Sequence, residues 1–140
     1  MATLKTEYQV QPTLYIDIPT NFDIHPVKGD IVLIKNDEAV KRSIINIVRT
    51  SLFERRFRPD FGCNVVGQLF ENFNDNTIYM VQQSIISAIN SYEPRAKLID
   101  VTVSSIDGND NSLAATITFA INGASQQTTL TTTLGVSLVR

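Results

Sequence analysis

The chain has 140 residues, of which 43% are apolar and 19% charged, and its formal net charge is −2. This is the size and composition of one globular domain able to bury a core, and a charge near balance offers no basic face for neutralising phosphates. No stretch approaches the roughly 20 apolar residues of a membrane span, and the segment Met1 to Tyr8 lacks the apolar core of a signal peptide; the expectation is a protein made and assembled in a cytoplasm, with no nucleic-acid and no membrane partner.

Residues 1–35 differ from the rest of the chain. Pro12, Pro19, Pro26 and Gly29 punctuate them. Leu14, Ile16 and Ile18 alternate with Tyr15 and Asp17, which predicts a short strand stopped by Pro19. Ile31 to Ile34 is a second short apolar run after Lys28-Gly29-Asp30. The segment reads as an extended N-terminal arm containing short strands, which either packs on a neighbour or wraps its own domain. Residues 36–140 then form a single domain.

A helix opens that domain. Asn36 or Asp37 can cap it, because either side-chain oxygen can accept from the free N–H groups of the first turn. Val40, Ile44, Val48 and Leu52 recur at helical spacing, widened by Ile45 and Ile47, and Lys41, Arg42, Asn46 and Arg49 fill the wet face. Residues 53–73 are irregular, broken by Pro59, Gly62 and Gly67. Phenylalanines at 53, 57, 61, 70 and 73 are interleaved there with Arg55, Arg56 and Arg58. So many aromatics predict a loop packed down onto the domain, since exposure would leave a large apolar patch.

Asn74 or Asp75 can cap a second helix, whose stripe is Ile78, Val81, Ile85, Ile89 and Tyr92 with Ile86 beside it. Its other face, Gln82, Gln83, Ser87, Asn90 and Ser91, is polar without charge and suits either solvent or a partner helix. Pro94 ends it. The last third alternates as strands: Ile99, Val101 and Val103, then Leu113, Ala115, Ile117, Phe119 and Ile121, then the threonine-rich run Gln126 to Thr133, and a short segment from Val136 to Val139. Asp107 to Asn111 and Asn122-Gly123 make the turns. The predicted fold is α+β: two main helices packed on a small antiparallel sheet, with the extended arm attached.

Little in this inventory suits catalysis. Cys63, the single cysteine, excludes an intrachain disulfide and reads as a buried inert thiol. His25, the single histidine, precedes a proline in the arm without a supporting base. The Asp107 to Asn111 loop lacks the glycine and closing glutamate of a calcium loop, and no cofactor or metal is expected. Glu54, Asp60, Glu71 and Glu93 could in principle pair as glycosidase carboxylates, but each is equally explained as a partner of Arg55, Arg56, Arg58 or Arg95. Glu93-Pro94-Arg95 holds a carboxylate and a planar guanidinium on either side of a rigid residue, where a helix hands over to a strand.

An ordered set of segments carries a resemblance. Asn36-Asp37-Glu38-Ala39-Val40-Lys41-Arg42-Ser43-Ile44, Glu54-Arg55, Arg58-Pro59-Asp60-Phe61-Gly62, Leu69-Phe70-Glu71 and Glu93-Pro94-Arg95 together resemble the baseplate wedge and sheath-initiator family of contractile phage tails. Relatives occur in type VI secretion baseplates, and the family has often been labelled lysozyme-like. Two departures stand out: Phe53 where the family usually has glycine before Glu-Arg, and Asn72 where it often has proline after Leu-Phe-Glu.

The resemblance implies a non-enzymatic assembly part of the virion's tail baseplate, present in multiple copies in a symmetric ring. It implies other wedge proteins as partners, with Glu93, Pro94 and Arg95 against a helical core bundle and with Glu54, Arg55 and Arg58 as further partner-binding residues. It also implies the tail sheath protein, paired as a strand along Thr128, Leu130 and Thr132. The alternative it leaves is a lysozyme-like glycosidase acting on peptidoglycan.

Overall fold

The computed structural model describes residues 15–69, 74–105, 112–122 and 127–135. Leu14, Pro12, Phe70, Glu71, Phe73, the Asp107 to Asn111 turn, Gly123 and the Val136 to Val139 segment lie outside the described residues.

The chain enters as a two-stranded antiparallel ribbon, β1 (Ile16–Asp17) against β2 (Ile34–Lys35). The intervening hairpin is closed by an isolated bridge between Ile24 and Ile31. Helix α1 (Asp37–Arg49) comes next, and buries Ala39, Val40, Ile44, Ile47 and Val48, the face its spacing predicts. Asn36 stands at the cap position, but its side chain makes no capping bond to the helix. It turns back instead, and its Oδ1 accepts from the Tyr15 backbone N–H at 3.4 Å. Leu52 is not part of the helical stripe: the helix stops at Arg49, Thr50 is extended, and Leu52 is exposed.

A four-residue helix, α2 (Val65–Gln68), precedes α3 (Asp75–Tyr92). Asn74 caps α3 as expected, its Oδ1 accepting from the Thr77 N–H at 2.8 Å. Val81, Ile85 and Ile89 are buried, with Ile78, Ile86 and Tyr92 packed against the core. The sheet is a meander in the order β3 (Ala96–Ser105), β4 (Ser112–Ile121), β5 (Gln127–Gly135). Leu113, Ala115, Ile117, Phe119 and Ile121 line its inner face beneath the helices. α3 lies over β3, and α1 reaches β5.

One strand departs from simple alternation. The β3–β4 register shifts between Leu98 and Asp100, so Ile99 is the extra residue of a bulge. A bulge resets the phase of the pleat: Ala96 lies inside before it, Val101 and Val103 after it. Ile99 therefore points outward, 48% exposed, and does not share the face of Val101 and Val103.

Candidate partner-binding site

Glu93 sits where α3 ends, and the corner it begins ties four parts of the chain together. Its carboxylate is 2% exposed. Arg95 grips it as a fork, Nε to Oε1 at 2.6 Å and Nη2 to Oε2 at 2.8 Å. Burial alone would push the Glu93 carboxyl up, but hydrogen bonds from Arg95 and from Ser43 of α1, with the guanidinium charge, outweigh it and hold it below its ordinary value. The Arg95 guanidinium lies 5.5 Å over the Tyr15 ring of the ribbon. At the end of β4, the Asn122 N–H donates to the Arg95 carbonyl and the Asn122 side chain donates to the Pro94 carbonyl. Glu93 is therefore an internal member of the corner, while Pro94 is exposed and Arg95 half-buried.

The loop after α1 docks onto the residue just before that corner. Phe61 packs on Tyr92 with ring centroids 4.9 Å apart. The Tyr92 hydroxyl donates to the Asp60 carbonyl at 2.5 Å. Arg55 lies over the outer face of Phe61 at 4.1 Å, and Arg58 is near it at 5.9 Å. Glu54 accepts from the Ser51 N–H at 2.9 Å, closing a turn. Gly62 explains why a glycine ends this motif. Its φ is +119°, and a Cβ there would stand 2.3 Å from the Thr50 carbonyl oxygen, which already accepts from the Cys63 N–H. Phe53, where the family usually has glycine, takes φ +66° itself, so the sharp turn is made at the same position by a side chain that dislikes it.

The loop is not packed down as its composition predicts. Only Phe61 among its described phenylalanines turns inward; Phe53 is 80% and Phe57 99% exposed. Both sit in tight turns, at 52–53 and 56–57, rather than on a regular element with a core-facing side. The ribbon is similarly apolar outside: Ile16, Ile18, Phe22, Ile24 and Val27 are all more than half exposed.

On β5, Thr132 is buried and Thr128 and Leu130 are partly so, facing the helix layer, while Thr129 and Thr131 face outward. The side chains of these predicted contact residues point to the core side, so a partner strand would meet the backbone edge of β5 rather than those side chains. Among the described residues β5 pairs on one side only. Sequence reasoning missed Tyr15, Ser43, Asn122 and Tyr92, since nothing local marks them; their roles come from tertiary contact with the corner.

The lone histidine and cysteine have structural places. His25 Nδ1 accepts from the N–H groups of Val27 and Lys28, closing the hairpin turn. Cys63 is buried, and burial pushes its thiol up to about 11. No group of three or more His, Cys, Asp or Glu among the described residues is placed to hold a metal.

Residues 35–129 match the family described as baseplate wedge protein gp25. The chain is 36% identical over 83 residues to baseplate wedge protein gp25 of Enterobacteria phage T4, covering 59% of this chain and 62% of that protein. It thus spans just under two thirds of that relative's length. Among solved structures it is similar to a putative tail lysozyme from Geobacter sulfurreducens, with TM-score 0.70 and 26% identity over 79% of this chain and 99% of the other. It shares its fold with a chain of the anti-feeding prophage baseplate (TM-score 0.60, 24% identity, 85% and 83% covered). A chain of the type VI secretion baseplate complex has the same fold (TM-score 0.61, 18% identity, 71% and 93% covered).

Proposed function

The chain belongs to the baseplate wedge protein gp25 family, and from that premise we propose that it is a structural wedge component of a contractile tail baseplate, which joins neighbouring wedge proteins and starts the tail sheath by strand pairing. It works in the tail baseplate of the virion, as one of several copies in a symmetric assembly.

The outer edge of β5 carries this reading. The strand Gln127–Gly135 holds no charge and no proline, and that edge is unpaired among the described residues. Such an edge is a template for another chain unless something guards it. A strand from the sheath protein would gain its affinity from backbone hydrogen bonds. The wedge contact is assigned to the corner: a helical core bundle from a larger wedge protein meets Pro94 and the outer side of Arg95. Glu93 serves there by aiming the guanidinium, and Glu54, Arg55 and Arg58 hold the adjoining loop. The exposed apolar side chains of the ribbon supply a further contact with a neighbour.

The name of the Geobacter structure, a putative tail lysozyme, favours a second reading, peptidoglycan hydrolysis by paired carboxylates. A glycosidase acid needs a carboxyl pushed up towards neutral pH, and Glu93 is held down. Glu54 is spent on the Ser51 turn, and the Asp60 backbone and side chain engage Tyr92. Each described carboxylate of the candidate set has a local structural role, so we read the chain as structural rather than enzymatic. Peptidoglycan hydrolysis by the pure protein, abolished by a single Glu→Gln change, would overturn that.

Strand pairing is tested by Thr129→Lys together with Thr131→Lys. Both side chains face outward, so the core is untouched, while lysines on an edge oppose pairing. Baseplates should still form and sheath should fail to polymerise on them. Normal sheaths on the doubly substituted baseplates would refute the proposal.

A further inference from the structure

Beside β5, whose outer edge is unpaired among the described residues, lies a groove of about 320 Å³, lined by Ile34 of β2, by Glu38, Lys41, Arg42 and Ile45 of α1, and by Leu130 of β5. Its volume is at the small end for a ligand pocket, too small for a folded element but suited to side chains of an extended chain. We propose that this groove reads the strand that joins β5. It selects an extended segment of another protein that carries an apolar residue for the Ile34–Ile45–Leu130 pocket and a carboxylate for Arg42. The inference rests on strand addition at β5 and adds to it the side-chain chemistry of the incoming strand.

Geometry places those side chains. A strand added to β5 lies about 4.8 Å beyond it, and every second side chain points to the same layer as Leu130 and Thr132. That layer is the one α1 occupies over β5. The incoming side chains therefore meet the outer face of α1, where Lys41, Arg42 and Ile45 follow one another. Along the helix, Arg42 and Ile45 are separated by about 4.5 Å.

Charge decides the second residue. Lys41 is already satisfied, bound to Glu38 at 2.8 Å and near Asp37 at 3.8 Å. Arg42 is half-buried and makes no ion pair among the described residues. With both nearby carboxylates turned to Lys41, the groove offers one guanidinium that is uncompensated among the described residues, beside an apolar floor. An aspartate or glutamate complements it, and a lysine at the same position is repelled.

The test uses the full chain and two labelled nine-residue peptides of alternating threonine and leucine, blocked at both ends. One carries aspartate and the other lysine in place of the second leucine. Fluorescence anisotropy should show the aspartate peptide binding about tenfold more tightly. Arg42→Glu should reverse the preference. Equal affinities, or a preference that survives Arg42→Glu, would overturn the groove inference and leave strand addition standing. Binding of neither peptide would overturn both. Hydrogen exchange of β5 amides in the free chain supplies the remaining arm. If they are already as protected as in the peptide complex, the groove is filled by this chain's own residues and the proposal fails.

Discussion

Replacing Arg95 with methionine removes the partner of a carboxylate that is only 2% exposed. Breaking a buried ion pair from one side costs about 3–5 kcal/mol. Two features lower the figure here. The Arg95 side chain is 30% exposed, so water screens part of the interaction, and Ser43 still donates to the orphaned carboxylate. There is also a ceiling. Glu93 can escape by taking a proton, which from an ordinary value of 4.5 costs about 3.4 kcal/mol at pH 7. The expected loss is therefore about 2–3 kcal/mol at pH 7, read as a fall in the urea midpoint, or a drop in Tm of about 8–12 °C. Replacing both partners, Glu93→Leu with Arg95→Met, should recover most of it, because no buried charge is left alone.

The pH dependence gives a second readout. In the parent chain Glu93 is held below its unfolded value of 4.5. Its contribution is thus complete above about pH 4.5 and is lost as pH falls through the lower folded value. Without Arg95, burial dominates and the folded value rises above the unfolded one. The penalty of the variant is then largest at neutral pH and shrinks on acidification towards pH 4.5. The stability gap between the two proteins should narrow over that interval. A loss below about 0.5 kcal/mol, or a gap that stays constant from neutral pH to pH 4.5, would mean that the carboxylate is solvated. Glu93 would then be free to meet a partner directly.

Three further substitutions test the local geometry. Phe53→Gly relieves a left-handed residue at φ +66° that is 80% exposed. The relief is about 1–2 kcal/mol against about 0.5–1 kcal/mol of added chain entropy, so the urea midpoint should rise with an unchanged slope. Gly62→Ala drives a Cβ to 2.3 Å from the Thr50 carbonyl oxygen; a loss of about 3 kcal/mol or more is expected, measured by thermal unfolding. Asn74→Ala removes the cap of α3 and should cost about 1 kcal/mol, with faster amide exchange confined to the first turn of that helix.

The long periodic elements were legible in the sequence because packing and pattern agree there. α1, α3 and β4 bury the residues that their spacing selects. Failures fall where a tertiary contact overrides a local rule. Asn36 has the chemistry of a cap, but the ribbon's Tyr15 takes its side chain. Ile99 keeps the strand alternation on paper, but one extra residue in the ladder turns it outward. Phe53 and Phe57 have the hydrophobicity of core residues, but turns anchored by Gly62 and Pro59 leave them outside. The candidate site divides in the same way. Glu93 and Arg95 are adjacent in sequence, and their pairing follows from that. Tyr15, Ser43 and Asn122 join them from distant segments with no local signal.

The two motifs, some thirty residues apart, behave as one unit, and this bears on how a partner would bind. Phe61 and Asp60 fix Tyr92, Tyr92 precedes Glu93, and Glu93 fixes Arg95 through two hydrogen bonds. An arginine normally loses considerable rotamer freedom when it is immobilised at an interface. Here that ordering is accomplished within the folded chain, so a neighbour docking on Arg95 gains contacts without repeating the loss. The exposed Phe57 is the opposite case: it is 99% exposed, so a partner would gain nearly its full apolar area and bear the cost of ordering it. If a neighbour docks on both side chains as proposed, a substitution at Arg95 should be felt in folding and assembly and one at Phe57 in assembly alone, and a single reconstitution separates the two contributions.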